Sequence, residues 1–368
     1  MTQTNSERVA RIKKTFLELI AIDGIFPYEA AVIEYVRERL STKNVPVIAD
    51  DFGNLIIKIP GRGDAVLLST HLDIPEPQPN VKFIEDGDWI TSDGSGILGA
   101  DPKTGLAILI EFAIDRFAEV AAGIYAGAPL DIVLTRGEET GLLGARALDY
   151  SLIDAKIGLV LDEDGPVTQV VIQAPSFVKI DAKFIGKVVH PREPELGINA
   201  LQAAVTALAS LPWGYSTPGV TWNVGMFSSG TARNSVPGEC TFAAELRSYD
   251  AALVRGENER VRLACEAAAK SVGAQLEYSG EFEFEGYSLN RAHPLFQRLE
   301  KTFASLGNAV GAPNYFATFG GSDANIFNAH GIQTVPLGSG YYRAHEYTEA
   351  ANVGDMDLIY EFLERFVK

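Results

Sequence analysis

Apolar residues recur at helical spacing over residues 6–22 and 28–40, with Val9, Ile12, Phe16 and Ile20 in one stripe and Val32, Val36 and Leu40 in the next. Ser6 is placed to cap the first of these helices. Two short strands are expected around the turn Asp51-Phe52-Gly53-Asn54. The stretch Ala65-Val66-Leu67-Leu68-Ser69-Thr70 is almost wholly apolar or small, so it predicts a strand covered on both faces, at the centre of an α/β sheet. It runs into His71-Leu72-Asp73-Ile74. A hairpin and a glycine-rich loop follow over 81–100, then GADPKTGLAILIEFAI opens a long apolar helix with Asp101 near its start. Leu130 to Thr135 predicts a strand leading into GEETGLLGARALD, a loop that becomes a helix, and Ile157 to Leu161 a strand ending in Asp162-Glu163-Asp164-Gly165.

The pattern changes after residue 176. Strands are expected at Phe177–Val189, Val220–Phe227, Glu239–Ser248 and Ala274–Phe284, and helices at Ile198–Leu211 and Ala251–Ser271. The order β-α-β-β-α-β is that of the split, ferredoxin-like unit. Alternating helices and strands then resume from about 294 to a closing helix over 354–367. The expected fold is therefore an α/β domain made of residues 1–176 and 288–368, a mixed sheet flanked by helices, interrupted by an inserted domain at 177–287.

Composition narrows the function classes. A chain of 368 residues with 46% hydrophobic and 21% charged content is an ordinary globular protein. The net charge of −17 argues against nucleic acid or an anionic membrane as partner. No apolar run approaches the ~18 residues of a membrane span, and the N-terminus lacks the apolar core of a secretion signal. With only Cys240 and Cys265 there is no disulfide framework, and the expected location is the cytoplasm.

The candidate chemistry collects at predicted strand ends. On an extended chain His71 and Asp73 point the same way, so Asp73 can accept from one ring nitrogen and fix the tautomer of a metal-binding imidazole. Asp101, the pair Glu138 and Glu139, Asp164, and late in the chain His345 join them, each at a strand end or in the loop after it, where ligands bind in open α/β sheets. Imidazole and carboxylate without thiolate suit zinc, cobalt or manganese. Asp101 is the natural bridge between two ions. One ion would take His71, Asp101 and Asp164, and the other Asp101, Glu139 and His345. Glu138, beside a ligand but not used as one, would be the general base.

These motifs, Thr70-His71-Leu72-Asp73, GADPKTG, GEETGLLGA, DEDG and the late GGSDAN and AHEYTE, resemble those of the dinuclear-zinc peptidases related to peptidase T, a family that also holds aminoacylases and glutamate carboxypeptidases. The likeness runs across nearly the whole chain. It implies the same metal roles, with Asp162 as the alternative to Asp164 for the fourth ligand. It also implies that the inserted domain is a lid through which subunits pair as a homodimer. His190, ahead of Gly197-Ile198-Asn199-Ala200, matches the lid histidine that steadies the oxyanion, often from the neighbouring subunit. Asn234 and Arg247 match positions that bind substrate, and Gly321, Ser322 and Asn325 fall in a helix-opening loop suited to a peptide backbone. Where the family commonly has Asp-Asp, this chain has Asp101-Pro102, and a cis peptide is expected there. The activity implied is exopeptidase action on short peptides with two zinc ions, most like a tripeptide aminopeptidase. Carboxypeptidase or N-acyl-amino-acid deacylase action is the alternative, and an inactive scaffold is disfavoured by the intact ligands. No G-x-S-x-G elbow supports a serine hydrolase.

Overall fold

The computed structural model describes residues 3–307 and 310–368. They divide into two compact units, one running up to Ile172 and taking up again at Leu289–Ala317 and Ser322–Lys368, the other Gln173–Ser288 with Thr318–Gly321. The short return of residues 318–321 to the second unit has no counterpart in the hydrophobic pattern.

The first unit is built on a mixed sheet. Its strands lie in the order Ile48–Ala49, Leu55–Ile59, Leu130–Thr135, Val66–His71, Ile157–Glu163, Gln333–Gly338 and Gln169–Ala174. The four from Leu130–Thr135 to Gln333–Gly338 are mutually parallel, so their C-terminal ends share one edge of the sheet. Every residue of Val66–His71 is buried, as expected of a run of apolar and small residues in a strand covered on both faces. The helix Ala100–Ala121 lies over it and is buried for nearly its whole length. Gly105 permits the close approach, because a Cβ there would meet Leu161 O and Thr70 Oγ1 at 2.8 Å. The buried Glu111 of this helix accepts from Thr15 Oγ1 at 2.7 Å and from Arg39 at 2.8 Å, tying it to the first two helices. The first helix runs Gln3–Ile20, so Ser6 lies within it and is not its cap.

A second, small sheet pairs Phe83–Asp86, Trp89–Ser92, Ala350–Asn352 and Tyr341–Tyr342. The last two strands are too short to leave a periodic signal and were absent from the sequence-based expectation. So was Gln169–Ala174, which follows the Asp164 bend after only a few residues.

The second unit is a five-stranded antiparallel sheet, Gly214–Thr217, Val220–Ser229, Glu239–Ser248, Ser176–Ile185 and Gln275–Phe284 in that order. Helices Ala200–Ala209 and Ala251–Val272 pack on one face around Val178, Ile180, Phe184, Val261 and Cys265. Setting aside the short Gly214–Thr217 strand, this is the ferredoxin-like arrangement. Alternation of burial along Glu239–Ser248 leaves the other face partly open.

Candidate metal centre

The site forms along the shared C-terminal edge of the parallel strands. His71 ends its strand with the imidazole fully buried. Its Nδ1 lies 3.1 Å from the carbonyl oxygen of Asp73 and 3.4 Å from the Asp73 carboxylate, so the main chain is the nearer acceptor. With the proton on Nδ1, the lone pair of Nε2 faces Asp101 Oδ1 at 3.1 Å and Asp162 Oδ1 at 3.3 Å. The Asp73 carboxylate has another task. It accepts from the backbone N–H of Glu138 at 2.9 Å and of Glu139 at 3.1 Å, holding the Glu-Glu loop against the end of the His71 strand.

That loop turns sharply. Gly144 N–H returns to Arg136 O at 2.7 Å, and a Cβ on Gly144 would sit 2.4 Å from that same oxygen. Glycine is required there by contact. The outcome is that Glu138 is buried and Glu139 nearly so.

Asp101 has φ −80° and ψ 114°, outside the helical region although Ala100–Ala121 is continuous around it, and its peptide bond to Pro102 is cis. Its two carboxylate oxygens diverge. Oδ1 faces His71 Nε2, and Oδ2 lies 3.5 Å from His345 Nε2. His345 in turn stands 3.0 Å from Glu139 Oε1. It is half exposed and adopts φ +63°, a left-handed conformation rare for a residue with a side chain.

Of the two candidate aspartates, Asp162 rather than Asp164 stands beside His71. Asp164 lies beyond the strand end at Glu163, is exposed, and accepts from the Ala344 backbone N–H at 3.4 Å. Asp162 takes its place beside His71, supported by Tyr341, whose hydroxyl donates to Asp162 Oδ1 at 3.4 Å. The cause is a register shift. Leu337 pairs with Leu161 but Gly338 pairs with Glu163, which leaves Asp162 as the extra residue, aimed at the site.

Among the described residues, two triplets of potential ligand atoms fall within 4.8 Å of one another, His71 with Glu138 and Asp162, and His71 with Asp101 and Glu139. The electrostatics are those of a carboxylate cluster short of positive charge. Burial, then the charge of Asp162, pushes Glu138 well above the usual carboxylate range. Burial raises Glu139 and Asp162 too. Burial opposes protonation of His71, but Asp162 and the bonds to Asp101 outweigh it and raise the imidazole well above its ordinary value. The adjacent carboxylates of Asp101 and Glu139 raise His345 to about 10. For Asp101 burial is overcome by its bonds to the two histidines, which hold it below the usual range. Glu139 Oε1 is buried and close to His345 without an aligned hydrogen bond. Neighbouring ligands of one cation sit in this way, and imidazole with carboxylate suits zinc, cobalt or manganese.

Two further carboxylates emerge only in three dimensions. Asp323, the first residue of the helix Asp323–Ala329, accepts from Thr135 Oγ1 and is pushed up to about 7 by burial. Glu349 accepts three backbone N–H groups of the loop ahead of Asp101. The sequence carried a faint signal for the first, an acid in the opening turn of a helix, and for the second only its place four residues after His345.

Ser322 and Asn325 close a capping box on Asp323–Ala329: Ser322 N donates to Asn325 Oδ1 at 3.2 Å, and Ala324 N to Ser322 Oγ at 3.3 Å. The remaining expected residues belong to the second unit. His190 and Asn234 are exposed. Arg247 donates to Phe319 O at 2.8 Å, pairs with Glu245, and stacks over Phe177. Gly321 packs so tightly on the Phe284 ring that a Cβ would come within 2.3 Å of it.

Comparison with known proteins gives this architecture relatives. A peptidase dimerisation domain matches residues 176–273. The chain is 34% identical over 358 residues to YqjE of Bacillus subtilis, with 94% of each chain covered. Two solved structures align over 98% of both chains at 30% identity, aminopeptidase PepT of Bacillus cereus with a TM-score of 0.83 and a tripeptidase of Staphylococcus aureus with a TM-score of 0.87. On the strength of these end-to-end matches, the chain belongs to the M20 peptidases, on the peptidase T side of that family, and is a hydrolase acting on peptide bonds.

Proposed function

We propose that this protein is a tripeptide aminopeptidase that uses two divalent metal ions, zinc in the first instance, with cobalt or manganese able to substitute. The observation that carries the reading is the division of Asp101. One oxygen faces His71, whose Nε2 also neighbours Asp162, and the other faces His345, whose Nε2 also neighbours Glu139. His71, Asp101 and Asp162 would hold one ion, and Asp101, Glu139 and His345 the other. When bound, the ions supply Lewis acidity for the scissile carbonyl and compensate the crowded carboxylates.

The chain's own residues carry the proton. Glu138, held by its backbone N–H on Asp73, takes a proton from the water that attacks the carbonyl carbon. It returns that proton to the amide nitrogen as the C–N bond breaks, so the free amine leaves neutral. Burial and the neighbouring carboxylates raise its proton affinity in the metal-free protein, and bound cations would offset this and leave it free to accept a proton. His190 on the inserted unit is the proposed donor to the developing oxyanion, and Asn234, Arg247, Gly321, Ser322 and Asn325 the proposed contacts to peptide.

Assembly as a homodimer through the inserted unit is supported by the domain match and by an open sheet edge. The far half of Val220–Ser229 lacks a partner on its outer side among the described residues, and Met226 and Phe227 there are 72% and 46% exposed. No helix among the described residues is long and apolar enough to cross a membrane, and both cysteines are free and buried, which fits the proposed cytoplasmic location.

The test is a panel of free, N-acylated and C-amidated tripeptides, assayed after chelation and after restoring zinc, cobalt or manganese. The aminopeptidase reading expects hydrolysis of the free and C-amidated peptides, none of the N-acylated ones, and no activity without metal. Preferential hydrolysis of N-acylated substrates would move the enzyme to the deacylases. Full activity in a verified metal-free sample would end the metal mechanism.

A further inference from the structure

The loop that delivers Asp101 is gripped from both sides by residues the mechanism does not use. On one side stands Glu349, 1% exposed. Its Oε2 accepts from Leu98 N and Gly99 N, both at 2.7 Å, and its Oε1 from Asp101 N at 2.9 Å. On the other side stands Gln78, whose Nε2 donates to Leu98 O, and to Ile97 O at 3.3 Å. Its Oε1 accepts from Lys103 Nζ at 2.7 Å, and the same ammonium reaches Ile22 O at 2.8 Å. Gly99 sits between the two at φ +68°, where a Cβ would meet Gln78 Oε1 at 2.7 Å.

We propose that Glu349 and Gln78 form a two-sided clamp that positions Asp101, setting the direction in which its two oxygens diverge. The reasons are chemical. Three N–H groups aimed at one carboxylate make a strong, charge-assisted anchor, and the amide on the opposite side satisfies the carbonyls of Ile97 and Leu98 in the same loop. Leu98 is held at both its N–H and its C=O, which leaves the loop little freedom to rotate. Glu349 lies four residues after His345, in two consecutive turns closed by Glu346 N–H on Arg343 O at 3.2 Å and by Glu349 N–H on Glu346 O at 2.9 Å. One short segment therefore supplies a side chain facing Asp101 Oδ2 and an anchor for the Asp101 backbone. Through it the bridging residue and the exposed histidine keep their separation.

This rests on the reading of Asp101 as a bridge, and the experiment separates the two. Zinc affinities are measured by chelator competition, and the electronic spectrum of the cobalt-loaded protein is recorded, for wild type, Glu349→Gln, Gln78→Leu and Asp101→Asn. An amide at 349 keeps the shape but turns donors toward an N–H donor, so affinity for at least one ion should fall by about 10–100-fold, the usual loss when a ligand's support is removed. The cobalt spectrum should change with it. Gln78→Leu should move both readouts in the same direction. If Glu349→Gln fails to fold, Gln78→Leu and the shorter acid Glu349→Asp give the same test. Folded clamp variants with wild-type affinities and spectra would overturn the clamp. Asp101→Asn binding two ions as tightly as wild type would instead overturn the bridge.

Discussion

Replacing Asp73 by asparagine tests whether the acid next to the metal-site histidine acts on the imidazole or on the loop behind it. The carboxylate is fully buried and accepts two backbone N–H groups, Glu138 at 2.9 Å and Glu139 at 3.1 Å. Asparagine keeps the volume but offers one oxygen, so one N–H faces an amide donor. Losing one hydrogen bond to a charged group costs about 1.5–3 kcal/mol. Removing a negative charge from a carboxylate cluster works in the opposite direction. Relief of repulsion on Asp323 offsets part of the loss. For a folding unit of this size each kcal/mol moves the midpoint by about 2–4 °C, so the metal-free variant should melt about 3–12 °C lower. The measurement belongs on metal-free protein, because bound ions would mask the loss by mass action. Since the main-chain carbonyl of Asp73 still orients His71, zinc binding at His71 should weaken less than catalysis, which depends on the placement of Glu138. A metal-free midpoint unchanged from wild type, with unchanged turnover, would refute the anchoring role.

Glu138→Gln should lower kcat by about 100-fold or more while two ions remain bound, since it removes the proton acceptor and no proposed ligand. Metal lost from that variant by elemental analysis would make Glu138 a ligand, as its place beside His71 and Asp162 permits. Asp162→Asn should weaken metal binding by about 10-fold or more while Asp164→Asn leaves it near wild type, and the reverse order in chelator competition would restore Asp164 as the ligand. In metal-free protein His345 is raised to about 10, so its ion pairs stabilise fully below the ordinary value of ~6.5 and that contribution is lost as pH rises toward 10. Zinc must displace this proton at neutral pH, so binding should release protons and tighten with rising pH; calorimetry in buffers of different ionisation enthalpy would expose a failure to do so.

Much of this protein is determined by local pattern. A short apolar and small-residue run of strand length reads as a strand covered on both faces, which puts His71 at its C-terminal end, where ligands bind in open α/β sheets. The change from alternating helix and strand to the split β-α-β-β-α-β order marks the inserted unit, because each element must bury its apolar side against a neighbour of suitable period. What tertiary structure alone decided is which of two chemically equal side chains stands beside His71. Asp162 and Asp164 share a side of an extended chain, so alternation cannot separate them. The strand Gln333–Gly338 separates them by pairing with a one-residue shift, and the chain turns away at Gly165, φ +93°. The Asp73 carboxylate was legible as a support but not as the support of Glu138, whose N–H is 65 residues away. The anchoring roles of Glu349 and Gln78 had no signal in the sequence for the same reason. A carboxylate that anchors backbone N–H groups some 250 residues distant has no local period, and only the folded chain brings donor and acceptor together.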